Sequence, residues 1–155
     1  MAKRVLIVGG VAGGASCAAR LRRLDEKVEI VMFERGEHIS FANCGLPYYV
    51  GGEIKKRDAL LVQSVEKMKS WFNIDTYVQT EVVGIDAAKK IVTVTDFTTG
   101  ESRNEPYDVL VLSPGAAPYV PALEGLEAAK HRLFTVRNVN DVDHLKGFID
   151  ANQPQ

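Results

Sequence analysis

The chain has 155 residues, 46% hydrophobic and 25% charged, with a formal net charge of -1. That is ordinary globular composition, long enough for one domain with a real core, and nothing in its bulk charge argues for a nucleic-acid or membrane surface. No apolar run approaches the roughly 18 residues of a transmembrane helix, and the apolar run Val5–Val8 after Lys3-Arg4 is too short for a signal peptide, so a cytoplasmic protein is expected. The two cysteines, Cys17 and Cys44, form no CxxC and no Cys/His cluster, which excludes a disulfide scaffold and a metal site.

Lys3 to Val8 is apolar from Val5 and rich in β-branched residues, predicting a buried parallel strand. Gly9-Gly10-Val11-Ala12-Gly13-Gly14 follows at once, and alanine-rich Ala15 to Leu24 predicts a helix. Val28 to Phe33 predicts a second strand, ending at Glu34. Gly36 to Ser40 reads as loop, and Cys44 to Val50 as a helix kept short by Pro47 and Gly51-Gly52. Glu53 to Leu61 is charged and irregular. Gln63 to Trp71 predicts a helix with Val65, Met68 and Trp71 or Phe72 on one face, and Ile74 to Val78 a strand of the main sheet.

Thr80 to Asp86, Lys90 to Asp96 and Glu101 to Tyr107 predict a three-stranded antiparallel meander, spanning about 80–107. The alternation in Ile91-Val92-Thr93-Val94-Thr95 and the turn residues between the runs support it. Asp108 to Leu112 predicts a buried strand running into Ser113-Pro114-Gly115-Ala116, and Asn138 to Ile149 a final amphipathic helix. Asn152-Gln153-Pro154-Gln155 reads as a polar end with no fold of its own.

The opening is therefore a βαβ unit with a glycine turn and an acidic residue about 20 positions later, the pattern of dinucleotide binding. Gly9 allows a tight strand-to-helix turn, and Gly13 and Gly14 let the helix start close to the sheet and to a ligand. The helix N-terminus would present free N–H groups and a favourable dipole to a pyrophosphate. Glu34 can accept hydrogen bonds from a ribose diol. A GxGxxG fingerprint would place glycine where Val11 stands.

Val5 to Gly14, Glu34 and Ser113-Pro114-Gly115-Ala116 resemble the FAD-domain motifs of the pyridine nucleotide-disulfide oxidoreductases. Within that superfamily, Val8 to Ser16 and the run Ser40-Phe41-Ala42-Asn43-Cys44-Gly45-Leu46-Pro47-Tyr48-Tyr49 resemble the coenzyme A-disulfide reductase group, which tolerates valine at the third fingerprint position. The resemblance implies an α/β, three-layer Rossmann-like FAD/NAD(P)-binding domain with a small antiparallel meander. It implies that residues 1–155 are the N-terminal part of that domain. The NAD(P)H-binding domain and the C-terminal dimerisation domain, through which a homodimer forms, are then absent from the chain. A fragment, not competent for turnover alone, is expected.

The resemblance further implies that Gly9, Gly10, Val11, Ala12 and Gly13 approach the pyrophosphate of FAD. Glu34 would meet the adenosine ribose, with Arg35 close by, and backbone groups at Val83 the adenine. Ser113, Pro114 and Gly115 would pass near the pyrophosphate and flavin. Dithiol members carry a second cysteine five positions after the first, and here that position is Tyr49. Cys44, flanked by Asn43, would therefore act as a single redox cysteine whose sulfur partner comes from elsewhere. Coenzyme A would contact Ser16, Arg20, Arg23, Ser40 and Asn43. For Arg20 and Arg23, three apart on one helix face, a solvated basic face is the alternative reading. Arg22 is left as surface and Cys17 as core packing. His38, His131 and His144 read as surface or loop residues, and for Tyr48 and Tyr49 packing and a functional role both stand.

The implied activity is FAD-dependent reduction by NAD(P)H of coenzyme A disulfide, or of coenzyme A persulfide or polysulfide, through Cys44. The alternatives are an NADH oxidase or peroxidase cycling Cys44 through a sulfenic acid, or a non-catalytic flavin-binding redox module.

Overall fold

The computed structural model describes residues 2–153. Its strands are β1 (Arg4–Val8), β2 (Glu29–Phe33), β3 (Asp75–Tyr77), β4 (Thr80–Asp86), β5 (Ile91–Asp96), β6 (Ser102–Pro106) and β7 (Val109–Leu112). Its helices are α1 (Ala12–Leu24), α2 (Leu46–Val50), α3 (Val65–Phe72), α4 (Leu126–Ala129) and α5 (Val139–Asn152), with short 3-10 turns at Asn43–Gly45, Arg57–Leu60 and Lys130–Arg132. None of the described helices is long and apolar enough to cross a membrane. The contacts divide the chain into two compact units, one of residues 1–41 and 61–115, the other of 42–60 and 116–155.

The first unit is a three-layer α/β fold. Its parallel sheet has the order β3-β2-β1-β7, and the strand register is continuous from Arg4 opposite Glu29 to Val8 opposite Phe33. Successive side chains on a strand point to opposite faces, and on β1 and β2 both faces are covered, whereas β7, expected to be buried, is exposed at Val109 and Leu112. Val5 and Ile7 of β1 and Ile30 and Met32 of β2 pack with Ala18 and Leu21 of α1 and Met68 and Phe72 of α3. Leu6, Val31 and Phe33 face the other way and pack with Val92 and Val94 of β5. Strands buried on both faces must be apolar throughout, which is why β1 and β2 read as continuous runs. The third layer is the antiparallel sheet β4-β5-β6.

Strand ends and helix ends differ from the sequence-based bounds by a few residues, as hydrogen-bonding decides them. Two ends shift by three residues, and one is the start of α1, at Ala12 instead of Ala15. Gly13 and Gly14 lie inside its first turn because the helix must start where the strand ends. At the other end of the chain α5 runs through Asn152, so Asn152 belongs to the helix and not to a polar tail. Pro154 and Gln155 lie outside the described residues.

Arg4 fastens the N-terminal ends of the strands. Its backbone N–H donates to Asp108 Oδ2 at 2.7 Å, and its guanidinium donates to Glu29 Oε1, the Pro106 carbonyl and Glu105 Oε2. Burial pushes the Glu105 carboxyl up, but hydrogen bonds from Arg103 and Arg4, with their charges, outweigh it and hold the group below the usual carboxylate range.

In the second unit, residues 42–60 close on themselves. The Ala42 N–H donates to the Leu60 carbonyl at 2.8 Å, and a Cβ on Gly45 would lie within 3.1–3.3 Å of Leu60, Ile54 and Ala42. Within the first unit, Phe41 and Leu61 form an isolated antiparallel bridge, and the Val62 N–H donates to the Ser40 carbonyl at 3.0 Å. Helix α2 packs on α5. The start of α5 is fixed by a cap: Asn138 Oδ1 accepts from the Asp141 N–H, while Asp141 Oδ2 accepts from the Arg137 N–H and the Thr135 hydroxyl.

Candidate functional site: the turn after β1 and the Cys44 segment

Parallel strands deliver their C-terminal ends to one edge of a sheet, where open α/β folds bind ligands. At that edge the Gly9 N–H donates to the Phe33 carbonyl at 2.8 Å and the Ser113 N–H to the Val8 carbonyl at 2.7 Å. The ends of β1, β2 and β7 are thereby stitched together, and Gly9, Glu34 and Ser113 come into one place. A cleft of about 100 Å³ opens there, lined among others by Gly9, Glu34, Arg35, Val82 and Pro114.

Two glycines make the approach possible. Gly9 has φ +94°, and a Cβ there would lie 2.0 Å from the Ser113 carbonyl oxygen. A Cβ on Gly14 would lie 1.7 Å from the Gly9 carbonyl oxygen, so the first turn of α1 rests directly on the strand exit. Gly13 is exposed, and a Cβ there would lie 3.1 Å from the Ser113 hydroxyl oxygen. No side chain caps the start of α1 and no acidic residue stands in its first turn. The first N–H groups of a 13-residue helix therefore have no side-chain partner, and the helix dipole adds its positive end. This is the donor set that an anionic pyrophosphate fits.

Glu34 is buried and its carboxylate is bonded on both oxygens. Oε2 accepts the Gly10 N–H and Oε1 the Gly36 N–H, each at 2.7 Å. Each oxygen keeps a further lone pair for a ribose hydroxyl. Gly10 is committed on both sides, because its carbonyl accepts the Ser40 N–H at 3.0 Å. Its part is to draw the loop of Glu34 and Ser40 against the turn. Arg35 is exposed, 3.8 Å from Glu81. Val83 sits at a β-bulge: Val82 pairs with Val94 and Gly84 with Thr93, so Val83 has no register partner. Its peptide groups are the ones in β4 that the ladder leaves to other partners.

Ser16, Arg20 and Arg23 lie exposed on α1, at i, i+4 and i+7. Arg20 makes no hydrogen bond or ion pair among the described residues, while Arg23 Nε donates to the Ala19 carbonyl of its own helix. Arg22 differs from its reading as a surface residue. Its guanidinium is half-buried and donates to the carbonyls of Phe72, Asn73, Asp25 and Glu26. It holds the end of α3 to the end of α1, a role for which its sequence neighbours carry no signal. Ser40 adopts φ +45°, the left-handed region that non-glycine residues rarely occupy. Its N–H and carbonyl bonds to Gly10 and Val62 hold it there. Cys17 is half-buried.

In the second unit Cys44 is exposed, in the middle of the 3-10 turn Asn43–Gly45 that runs into α2. Asn43 is half-buried, and Gly45 and Leu46 beneath the thiol are buried. Tyr48 is exposed, and Tyr49 packs beneath Lys146, whose Nζ lies 5.9 Å from the ring centre. The segment therefore presents one thiol to solvent from a packed base.

The model of the pyridine nucleotide-disulphide oxidoreductase family matches residues 3–148. The chain belongs to that family. A coenzyme A disulfide reductase from Staphylococcus aureus is 40% identical over 150 residues, covering 97% of this chain and 33% of the relative. The crystal structure of reduced Bacillus anthracis CoADR-RHD superposes with a TM-score of 0.94 at 58% identity, over 99% of this chain and 28% of that one. An NAD-dependent persulfide reductase from A. fulgidus superposes with a TM-score of 0.88 at 32% identity, over 96% and 28% of the two chains. The chain thus spans about a third of the length of the curated oxidoreductases that it matches.

Proposed function

We propose that these residues are the N-terminal part of the FAD-binding domain of an NAD(P)H-dependent reductase, whose substrate is coenzyme A disulfide or coenzyme A persulfide. The NAD(P)H-binding and dimerisation domains are proposed to lie in sequence outside the 155 residues. The observation that carries the reading is a chain with both halves of the chemistry. It has an uncapped α1 start packed on the Gly9 turn and an exposed Cys44 on a packed helical turn. The coenzyme A disulfide reductase and persulfide reductase relatives support the substrate class.

The residues present fit FAD. The first N–H groups of α1, with Gly9, Val11, Ala12 and Gly13, would hold the pyrophosphate, and Glu34 the ribose. Arg35 and the bulge at Val83 would hold the adenosine side, with Ser113, Pro114 and Gly115 bordering the pyrophosphate and flavin. FAD, when bound, supplies the two-electron relay between NAD(P)H and sulfur.

What this chain supplies is the sulfur chemistry. The Cys44 thiolate attacks one sulfur of a coenzyme A disulfide, the S–S bond breaks, and one coenzyme A leaves as thiolate. Cys44 is now a mixed disulfide. Two electrons and one proton return Cys44 to thiolate and release the second thiol. With a persulfide, attack on the sulfur attached to coenzyme A expels hydrosulfide and reaches the same mixed disulfide. Tyr49 stands at the place of the second cysteine of dithiol members, so no thiol is supplied at that position to intercept it. Arg20 and Arg23 would bind coenzyme A phosphates, with Ser16, Ser40 and Asn43 contributing polar contacts.

The test is the intact mass of the full-length protein after exposure to coenzyme A disulfide without reductant, with the Cys44 peptide mapped. One coenzyme A on Cys44, removed by reductant and absent from Cys44→Ser, is the expected result. A single added oxygen would favour the oxidase or peroxidase reading. A bare thiol would overturn the proposal. The 155 residues alone are expected to show no NAD(P)H-driven thiol release.

A further inference from the structure

Cys44 stands on a segment that owes its position to α5. Residues 42–60 close their own ends at Ala42 and Leu60, but two contacts reach out of the segment to one face of α5. Arg57 Nε donates to Asp143 Oδ2 at 2.8 Å, and its Nη2 lies 2.8 Å from the same oxygen. Lys146 lies over the Tyr49 ring, within the range of a cation–π attraction. Asp143 and Lys146 are three apart on α5 and so share a face. One anchor lies in α2, five residues after Cys44, and the other in the 3-10 turn Arg57–Leu60.

The platform itself is firm. The cap at Asn138 and Asp141 fixes the first turn of α5, Val139 and Val142 are fully buried, and Phe148 packs on Phe134 with ring centres 5.0 Å apart. The Arg57–Asp143 pair is only partly exposed, at 36% and 29% for the two side chains. It is therefore only partly sheltered from the screening that makes surface pairs weak.

We infer that Asp143, through Arg57, is a positioning residue for the Cys44 thiolate, with Lys146 and Tyr49 as a second, weaker anchor. The inference rests on the functional reading above. Attack on a bound disulfide needs sulfur in line with the S–S bond, and a misplacement of about 1 Å can cost on the order of 100-fold in rate. Neither Asp143 nor Lys146 touches substrate in this account. Each holds the segment that carries the thiol.

The experiment uses the full-length, FAD-loaded protein, reduced and then mixed with coenzyme A disulfide in a single turnover. Asp143→Ala is expected to slow mixed-disulfide formation at Cys44 by about 10- to 100-fold, with KM for the disulfide and flavin content unchanged. Asp143→Glu is expected to retain most of the rate. Lys146→Met, which keeps the stem over Tyr49, gives a milder loss and remains informative if Asp143→Ala fails to fold. Iodoacetamide needs no orientation, so its reaction with Cys44 should stay at the wild-type rate. Wild-type single-turnover rates in both Asp143→Ala and Lys146→Met overturn the inference. So does a loss that Asp143→Glu shares in full, or one that iodoacetamide shows equally. If the wild-type protein forms no mixed disulfide, the functional reading fails and the inference falls with it. If the wild type reacts and the variants match it, only the inference fails.

Discussion

Glu34 Oε2 accepts the Gly10 N–H at 2.7 Å, so the residue that ends β2 holds the turn that follows β1. Its other oxygen holds Gly36. Glu34→Gln presents one acceptor where two N–H groups point, and its amide nitrogen opposes the second. The buried donor left unpaired should cost about 1–3 kcal/mol. A lower urea midpoint with an unchanged slope is the expected reading, together with a lower flavin content in the full-length protein.

Two glycine-to-alanine changes should act in opposite directions. At Gly14 the new methyl would lie 1.7 Å from a backbone carbonyl oxygen, and no side chain can rotate away. Gly14→Ala should destabilise by about 1–3 kcal/mol or more. At Gly147, in α5, a Cβ meets nothing within 4 Å. There the backbone entropy of glycine is the only term, and Gly147→Ala should stabilise by about 0.5–1 kcal/mol. Thermal melts of the two variants beside wild type decide both.

Acid should weaken the strand-end cluster around Arg4. The folded-state pKa of Glu105 lies below its ordinary value because the Arg103 and Arg4 bonds and charges outweigh desolvation. A carboxyl depressed in the folded state binds a proton less readily there than in the unfolded chain. Its stabilisation is therefore present above the unfolded value of about 4.3 and is lost as pH falls through the lower folded value. Urea midpoints measured across that window should fall for wild type and fall less steeply for Glu105→Gln.

Arg22 donates to four backbone carbonyls, two of them at the end of α3. Arg22→Met keeps the aliphatic stem and removes every donor. A loss of about 1–3 kcal/mol is expected, with faster amide exchange concentrated at residues 68–74. Arg22→Lys should recover only part, since an ammonium lacks the planar fork.

The layers were legible because their causes are local and periodic. The continuous apolar runs of β1 and β2, the alternation in β5 and the glycine turn each announce an element that the structure contains. What was not legible depends on meeting partners. Nothing near Arg22 tells that Phe72 and Asn73 will supply carbonyls, and nothing near Arg4 tells that Glu105 and Asp108 will come to it. Ser40 carries no mark of its left-handed backbone, which the bonds to Gly10 and Val62 maintain. The short helix α4 also escaped reading. It has four residues and no buried side chain, so it shows no periodicity to detect. The candidate site was visible as a motif at Gly9, Glu34 and Ser113, while the commitment of Gly10 to Glu34 and Ser40 required coordinates.

Phe41 and Leu61 meet in a single bridge, and Ala42 and Leu60 bond to each other just beyond it. The nineteen or so positions between behave as a cassette with a built-in clasp, since short closed loops tolerate changes of length and content at small entropic cost. Variation can then be confined to what lies inside the clasp, while the Phe41–Leu61 bridge and the Ala42–Leu60 bond that close it are kept.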